Sequence, residues 1–273
     1  MIRMPLIART SAAVLLALVA TASGPIAAQD LPSVFLEELT WTEVRDAIDS
    51  GTTTIIIPTA GTEQNGPHMV LGKHKFIINY ASAMIARELG NALVAPVVTY
   101  VPEGDVFNPT RGHMTKAGTI SFPEEYYMKL LEYGARSLAV HGFTDIVMIG
   151  DSGGNQNGME QVANMLNGEW AAENARVHFV GDYYSNNGFR EWLISQGETP
   201  ETIGGHAGIS DTSQLLAVDP RHIRTDKLAP LGGGPDSGVS GDPTRASVER
   251  GVRGIQFKVD TALRQIRELM NAR

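Results

Sequence analysis

The sequence predicts an α/β fold, a three-layer sandwich built on a mainly parallel sheet. Three observations carry this. Short β-branched apolar runs alternate with stretches of helical periodicity, the segments between successive runs are long enough to hold a helix, and the chain ends in a long amphipathic helix. Parallel neighbours cannot be joined by a tight turn, so long crossovers and parallel strands predict one another.

The elements follow in order. "TTTIIIPTAGT" reads as a buried strand entering a loop. "FIINYASAMIARELG" places Ile77, Ala81, Met84 and Ile85 at helical spacing and stops at Gly90. "ALVAPVVTYV" is the next strand, and "PEGDVFNPTRGHMTKAGTISF" a long polar loop. Pro123 opens a helix with acids in its first turn, where the helix dipole favours them. "DIVMIG" is a strand that runs into a glycine-rich turn, a helix around "MEQVANMLNGEW" follows, and "VHFVGDYY" is one more strand. In the terminal helix Val248, Val252, Ile255, Val259, Leu263 and Ile266 form an apolar stripe. "LGGGPDSGVSGDP" is a turn-rich loop and not a linker, and no internal repeat is visible.

Of 273 residues, 42% are hydrophobic and 19% charged, which suits one well-buried domain. The first residues carry Arg3 and Arg9, then the apolar run "AAVLLALVA", then small residues, the layout of a secretory signal peptide cleaved after Ala28. The apolar run is short for a membrane anchor. The expected organisation is therefore a signal peptide at 1–28 and a single domain at 29–273, periplasmic or secreted, with no membrane contact after cleavage. Removing Arg3 and Arg9 from 22 basic residues leaves 20 against 30 acids, so nucleic acid is excluded as a partner. With no cysteine, the chain has neither disulfides nor thiolate metal sites.

"VMIGDSGGNQNG" contains the GDSGG string that surrounds the nucleophile of trypsin-like proteases. That serine belongs to an all-β fold with a histidine and an aspartate supplied elsewhere. Here the string leaves a parallel strand before a helix, at the carboxyl end where open α/β sheets bind ligands. Position 152 is thus marked as a site position more than as a nucleophile. A Ser152-dependent hydrolase is retained as the lesser alternative.

Four separated segments carry a family resemblance. "IPTAGTEQNGPHMVLGKH" is similar to a P-x-G-s-x-E-q-H-G-P-H-L-P-l-x-T-D pattern, and "GTISFP" with "GFTDIVMIGDSGGN" to G-T-i-s and G-f-r-x-i-v-i-v-N-g-H-G-G-N. "GGHAGISDTSQLLAVDP" resembles G-H-A-G-x-x-E-T-S-x-m-l-x-l-x-P, and "GVSGDPTRASVERGVRGI" the closing G-v-x-G-d-P segment. On these the chain is identified as a member of the creatininase (creatinine amidohydrolase) family, a divergent one. The resemblance implies a creatininase-like α/β enzyme that hydrolyses C–N bonds of small cyclic or linear amides, with two divalent metals (zinc or manganese) and a homo-oligomeric, hexameric assembly.

Position by position the ligand pattern departs. Glu63 matches the first ligand, but Asn65 replaces a histidine, His74 the bridging aspartate, Ser152 the histidine of H-G-G-N, and Asp211 the glutamate of E-T-S. A neutral imidazole has one free lone pair and cannot bridge two cations. The expectation is a reduced, mononuclear centre, zinc first and manganese second, held by Glu63, His74 and Asp211 with Asp151 as a fourth oxygen donor. His206 matches the family's proton-handling histidine, and Glu63 is named with it as catalytic. Substrate contacts are expected from His68, Asn65, Arg111, Ser152 and Asn155, the last beside glycines that offer oxyanion donors. The long loop also carries Glu103, Asp105, His113 and Lys116 near the substrate entrance. The chemistry implied is metal-activated water attacking a small-molecule amide. The alternative is a metal-poor binding or regulatory protein on the same fold.

Overall fold

The computed structural model describes residues 31–272. The expected leader at 1–28 lies outside them. Four strands, β1 (Thr54–Thr59), β2 (Ala92–Val94), β3 (Asp145–Gly150) and β4 (Arg176–Phe179), form one sheet in the order β2-β1-β3-β4. Every pairing is parallel, and β1 and β3 run in register from Thr54↔Asp145 to Thr59↔Gly150.

Alternation along the strands sends side chains to two opposite faces. Ile56, Val147 and Ile149 face a core shared with α2 (Lys73–Leu89) and α8 (Val248–Asn271). Ile55, Ile57, Ile146 and Met148 face a second core shared with α3 (Glu124–Val140) and α4 (Gln156–Glu169). Helices cover both faces, so the central strands are buried throughout and read as continuous apolar runs. This is the three-layer α/β sandwich the sequence predicts. The shorter helices are α1 (Trp41–Asp49), α5 (Phe189–Ser195), α6 (Pro200–Ile203) and α7 (Ile209–Val218). No helix among the described residues is long and apolar enough to cross a membrane.

Two local expectations are corrected. β2 ends at Val94 instead of running through "PVVTYV". Pro96 has no N–H to give a ladder, and pairing resumes only as the single bridge Thr59↔Val98. In α8 the apolar stripe begins at Ile255, since Val248 and Val252 are exposed, and the buried face includes Lys258. Asp211 lies in the first turn of α7, whose N-cap is Gly208.

Candidate functional site

A cavity of about 760 Å³ opens at the carboxyl ends of β1 and β3. Its floor includes Glu63, Lys73, His74, Glu103, Asp151 and Ser152, and His113, His206 and Asp211 stand on its walls. Glu63 comes from the loop after β1, Asp151 and Ser152 from the turn after β3, and His206 and Asp211 from the approach to and first turn of α7. Lys73 and His74 are the first two residues of α2. Cations there oppose the helix dipole, and α2 has no acid in its first turn. The compensation is tertiary.

His74 lies between two carboxylates, its Nε2 at 2.8 Å from Glu63 Oε1 and its Nδ1 at 2.8 Å from Asp151 Oδ2. Lys73 Nζ, with no exposed surface, donates to Asp211 Oδ2 at 2.9 Å and stands 3.7 Å from Glu63 Oε1. Lys258 Nζ reaches across from α8 to pair with Asp151 Oδ1. Burial opposes charge on Lys73, His74 and the three carboxylates, and the pairs win. It lowers the affinity of His74 for a proton, as does the Lys73 charge, but the hydrogen bonds to Asp151 and Glu63 raise its pKa above the ordinary imidazole value. Burial likewise would raise Glu63, Asp151 and Asp211, yet their cationic partners hold all three below the usual carboxylate range.

The polar 102–122 loop folds back over this floor. Glu103 N–H donates to Ser121 Oγ at 2.9 Å, and His113 N–H donates to the Glu103 carbonyl at 2.9 Å. This brings Glu103 and His113 together against the cavity. A Cβ on Gly61 would run into Glu103 Oε1, so glycine there leaves room for this placement of the Glu103 carboxyl. Burial first, then the hydrogen bond and charge of Glu63, push the Glu103 carboxyl up to about 9. Of the two carboxyls Glu103 is the one that keeps its proton, and Glu63 the one held ionised by its cationic neighbours.

His206 sits before Ala207, whose φ of 54° is left-handed and unusual for a residue with a Cβ. Ala207 N–H donates to Asp211 Oδ2 at 2.7 Å, and the Ala207 carbonyl accepts from Thr212 Oγ1 at 3.2 Å, which holds that turn. Burial, followed by the Lys73 charge, lowers His206 to about 4, so its imidazole is neutral. Its Nδ1 is 3.6 Å from Glu63 Oε1, and His113 Nε2 is 3.3 Å from Glu63 Oε2.

The sequence-predicted residues are thus redistributed. The four expected metal ligands, Glu63, His74, Asp151 and Asp211, do lie around one cavity floor, but not as a set of free donors. Both His74 nitrogens are engaged by carboxylates, and Asp151 and Asp211 are each paired to an ammonium. Among the described residues, the group able to hold a metal ion is Glu63, His113 and His206, with donor atoms within 4.8 Å of one another. Lys73 and Lys258 were missed, although both left a signal. Lys73 stands where the resembled pattern has Thr, and Lys258 falls on the apolar face of α8.

Of the expected substrate contacts, Ser152 lines the cavity, where its Oγ lies 3.4 Å from Glu103 Oε2. Asn65, His68 and Asn155 are buried behind the wall instead. Asn65 donates to the Glu63 carbonyl at 2.9 Å, His68 Nε2 bonds Thr212 Oγ1 at 3.0 Å, and Asn155 Oδ1 accepts from Ser152 N–H at 3.0 Å. They shape the loops that carry the site. Arg111 points outward, its side chain 76% exposed beside Asp105.

The chain matches the family model described as creatinine amidohydrolase over residues 37–266. It is 29% identical over 253 residues to a mycofactocin precursor peptide peptidase of Mycobacterium tuberculosis, covering 82% of this chain and 88% of that protein. It is 26% identical over 205 residues to the creatinine amidohydrolase of Pseudomonas putida, covering 72% and 76%. A manganese creatininase structure superposes with a TM-score of 0.74 at 23% identity, covering 86% of this chain and 98% of that one. A creatininase variant of zinc-zinc type gives 0.70 at 23% identity, covering 87% and 98%.

Proposed function

The chain belongs to the creatininase family, and on that premise we propose that its cavity hydrolyses the C–N bond of an amide, in a small cyclic or linear molecule or a short peptide. The carrying observation is geometric. Glu63, Glu103, His113, His206 and Ser152 converge on one cavity at the carboxyl ends of the central parallel strands. Ligands of open α/β sheets bind at such ends. Relatives named as a peptidase and as an amidohydrolase support the reaction class and leave the size of the substrate open.

Glu63, His113 and His206 would hold a divalent cation, zinc before manganese on the chemistry of two imidazoles and one carboxylate. Such an ion, when bound, polarises a carbonyl and acidifies water. Glu103 is the proton carrier, a buried carboxyl whose place on the cavity floor lets it pass a proton to the departing nitrogen. This moves the proton-handling role from His206, whose Nε2–H is committed to the Gln64 carbonyl at 2.8 Å. Exposed Gly153, Gly154 and Tyr184 line the same cavity and leave it open to a substrate.

Export of the mature chain belongs to the same proposal, resting on the residues at 1–28, and cell fractionation tests it. So does self-association, supported by exposed Tyr126, Leu130, Tyr133 and Val140 on α3; light scattering reads it. The test of the reaction is release of amine from a panel of cyclic amides, linear amides and short peptides, with zinc or manganese supplied. Turnover of at least one class, reduced over a hundredfold in kcat by Glu63→Gln and by Glu103→Gln, is expected. A panel left wholly intact, or full activity in Glu63→Gln, refutes it.

A further inference from the structure

We propose that this centre binds one divalent cation, on Glu63, His113 and His206, and that the ammoniums of Lys73 and Lys258 supply the charge a second ion would bring. The inference deepens the hydrolase reading and rests on it for the purpose of the ion, not for its place.

The place follows from the donors. Two imidazoles and a carboxylate lie within 4.8 Å of one another, and His113 and His206 border the open cavity, leaving the rest of a coordination sphere to water or substrate. His206 is oriented for this. The Gln64 carbonyl can only accept, so His206 Nε2 carries the proton and the lone pair lies on Nδ1, the atom facing Glu63. A ring N–H held by a backbone carbonyl is the usual support of a ligating histidine. At His113 the Gln64 amide, fixed by Gly66 N–H and the Gly238 carbonyl, donates to Nδ1 at 3.2 Å. Its Nε2–H therefore points at Glu63 Oε2, where the cation would stand. Binding shifts that proton to Nδ1 and opens the Gln64 contact. His113 lies in a short turn of the loop, with 30% of its side chain exposed, and is free to make this adjustment.

The count follows from the neighbours. Three carboxylates, Glu63, Asp151 and Asp211, already face three basic side chains, Lys73, His74 and Lys258. Asp151 and Asp211 are the oxygen donors a second ion would need. Each is occupied by an ammonium that a dication at that spot would have to face at close range. His74 has no lone pair to offer while both nitrogens hold carboxylates, and Asn65, whose amide nitrogen donates to the Glu63 and Val70 carbonyls, adds one unpartnered neutral oxygen, Oδ1, which alone does not make a second site. Organic cations fixed by the chain thus take over the neutralising role of one metal.

The test reads binding without substrate. The full chain is stripped with EDTA, and zinc chloride is titrated in by calorimetry, with the bound metal counted by elemental analysis after dialysis. One zinc per chain is expected, with affinity at least tenfold weaker in His113→Ala, whose loop position leaves the fold intact by circular dichroism. Two zinc ions, none, or undiminished affinity in His113→Ala overturns the proposal. A chain that binds one zinc in this way and hydrolyses no amide would instead refute the hydrolase reading.

Discussion

Lys73 is the residue on which the charge balance of the cavity floor depends most directly. Its ammonium is wholly buried, 2.9 Å from Asp211 Oδ2 and 3.7 Å from Glu63 Oε1. Lys73→Met keeps the length and apolar stem and deletes the charge, leaving two carboxylates facing one another without it. Removing one member of a fully buried pair costs about 3–5 kcal/mol. Asp211 reaches the cavity with 24% of its side chain exposed, so water relieves part of the loss. The lower end, about 3 kcal/mol, is expected. Asp211→Asn removes the matching carboxylate while its amide oxygen still accepts from Ala207 N–H. The double variant should therefore recover part of the cost, with a coupling energy of about 1.5 kcal/mol or more. Urea unfolding of the four proteins in EDTA at neutral pH measures the cycle, provided the slopes agree. A Lys73→Met cost below about 1 kcal/mol, or single effects that add within about 0.5 kcal/mol, would refute the reasoning.

Two further outcomes are expected. Glu198, its side chain 1% exposed, accepts from Arg245 Nε at 2.6 Å and Arg250 Nη2 at 2.6 Å, and the hydrogen bond from Arg245 leads in lowering its pKa from 4.5 to about 2. A depressed carboxylate stabilises above its unfolded pKa, and that stability is lost as pH falls through the folded value. The full shift is worth about 3 kcal/mol, and screening at the half-exposed Arg245 reduces this to about 1.5–2 kcal/mol. Glu198→Gln should lose that amount at neutral pH and show a flatter stability profile between pH 4.5 and 2; an unchanged acid profile would count against it. Ser152, whose hydroxyl partner is Glu103 and not an imidazole, should resist a fluorophosphonate probe, and labelling that disappears in Ser152→Ala would restore the nucleophile reading.

The layers and the strand order's parallel character were legible because burial on both faces writes itself as continuous apolar runs, as in Ile55–Ile57 and Ile146–Ile149. Glu63, Ser152, His206 and Asp211, which the sequence puts at strand ends and helix starts, line one candidate cavity. The extent of β2 was misjudged because Pro96 removes a donor that hydropathy does not register. The exposure of Val248 and Val252 is a matter of which side of α8 meets a neighbour in its first turns, which periodicity leaves free.

The sequence by itself determined the sandwich, the family and an imidazole at position 74, where the resembled pattern has aspartate. It did so through local chemistry, namely which residue types stand at which spacing. Only the tertiary structure decided what replaced that carboxylate's charge pattern. Lys258, from the far end of the chain, meets Asp151 after β3, and His113, from the entrance loop, meets Glu63 and His206. Partners far apart in the chain are chosen by how helices and loops pack over the sheet, and a buried charge takes its meaning from the partner it finds there.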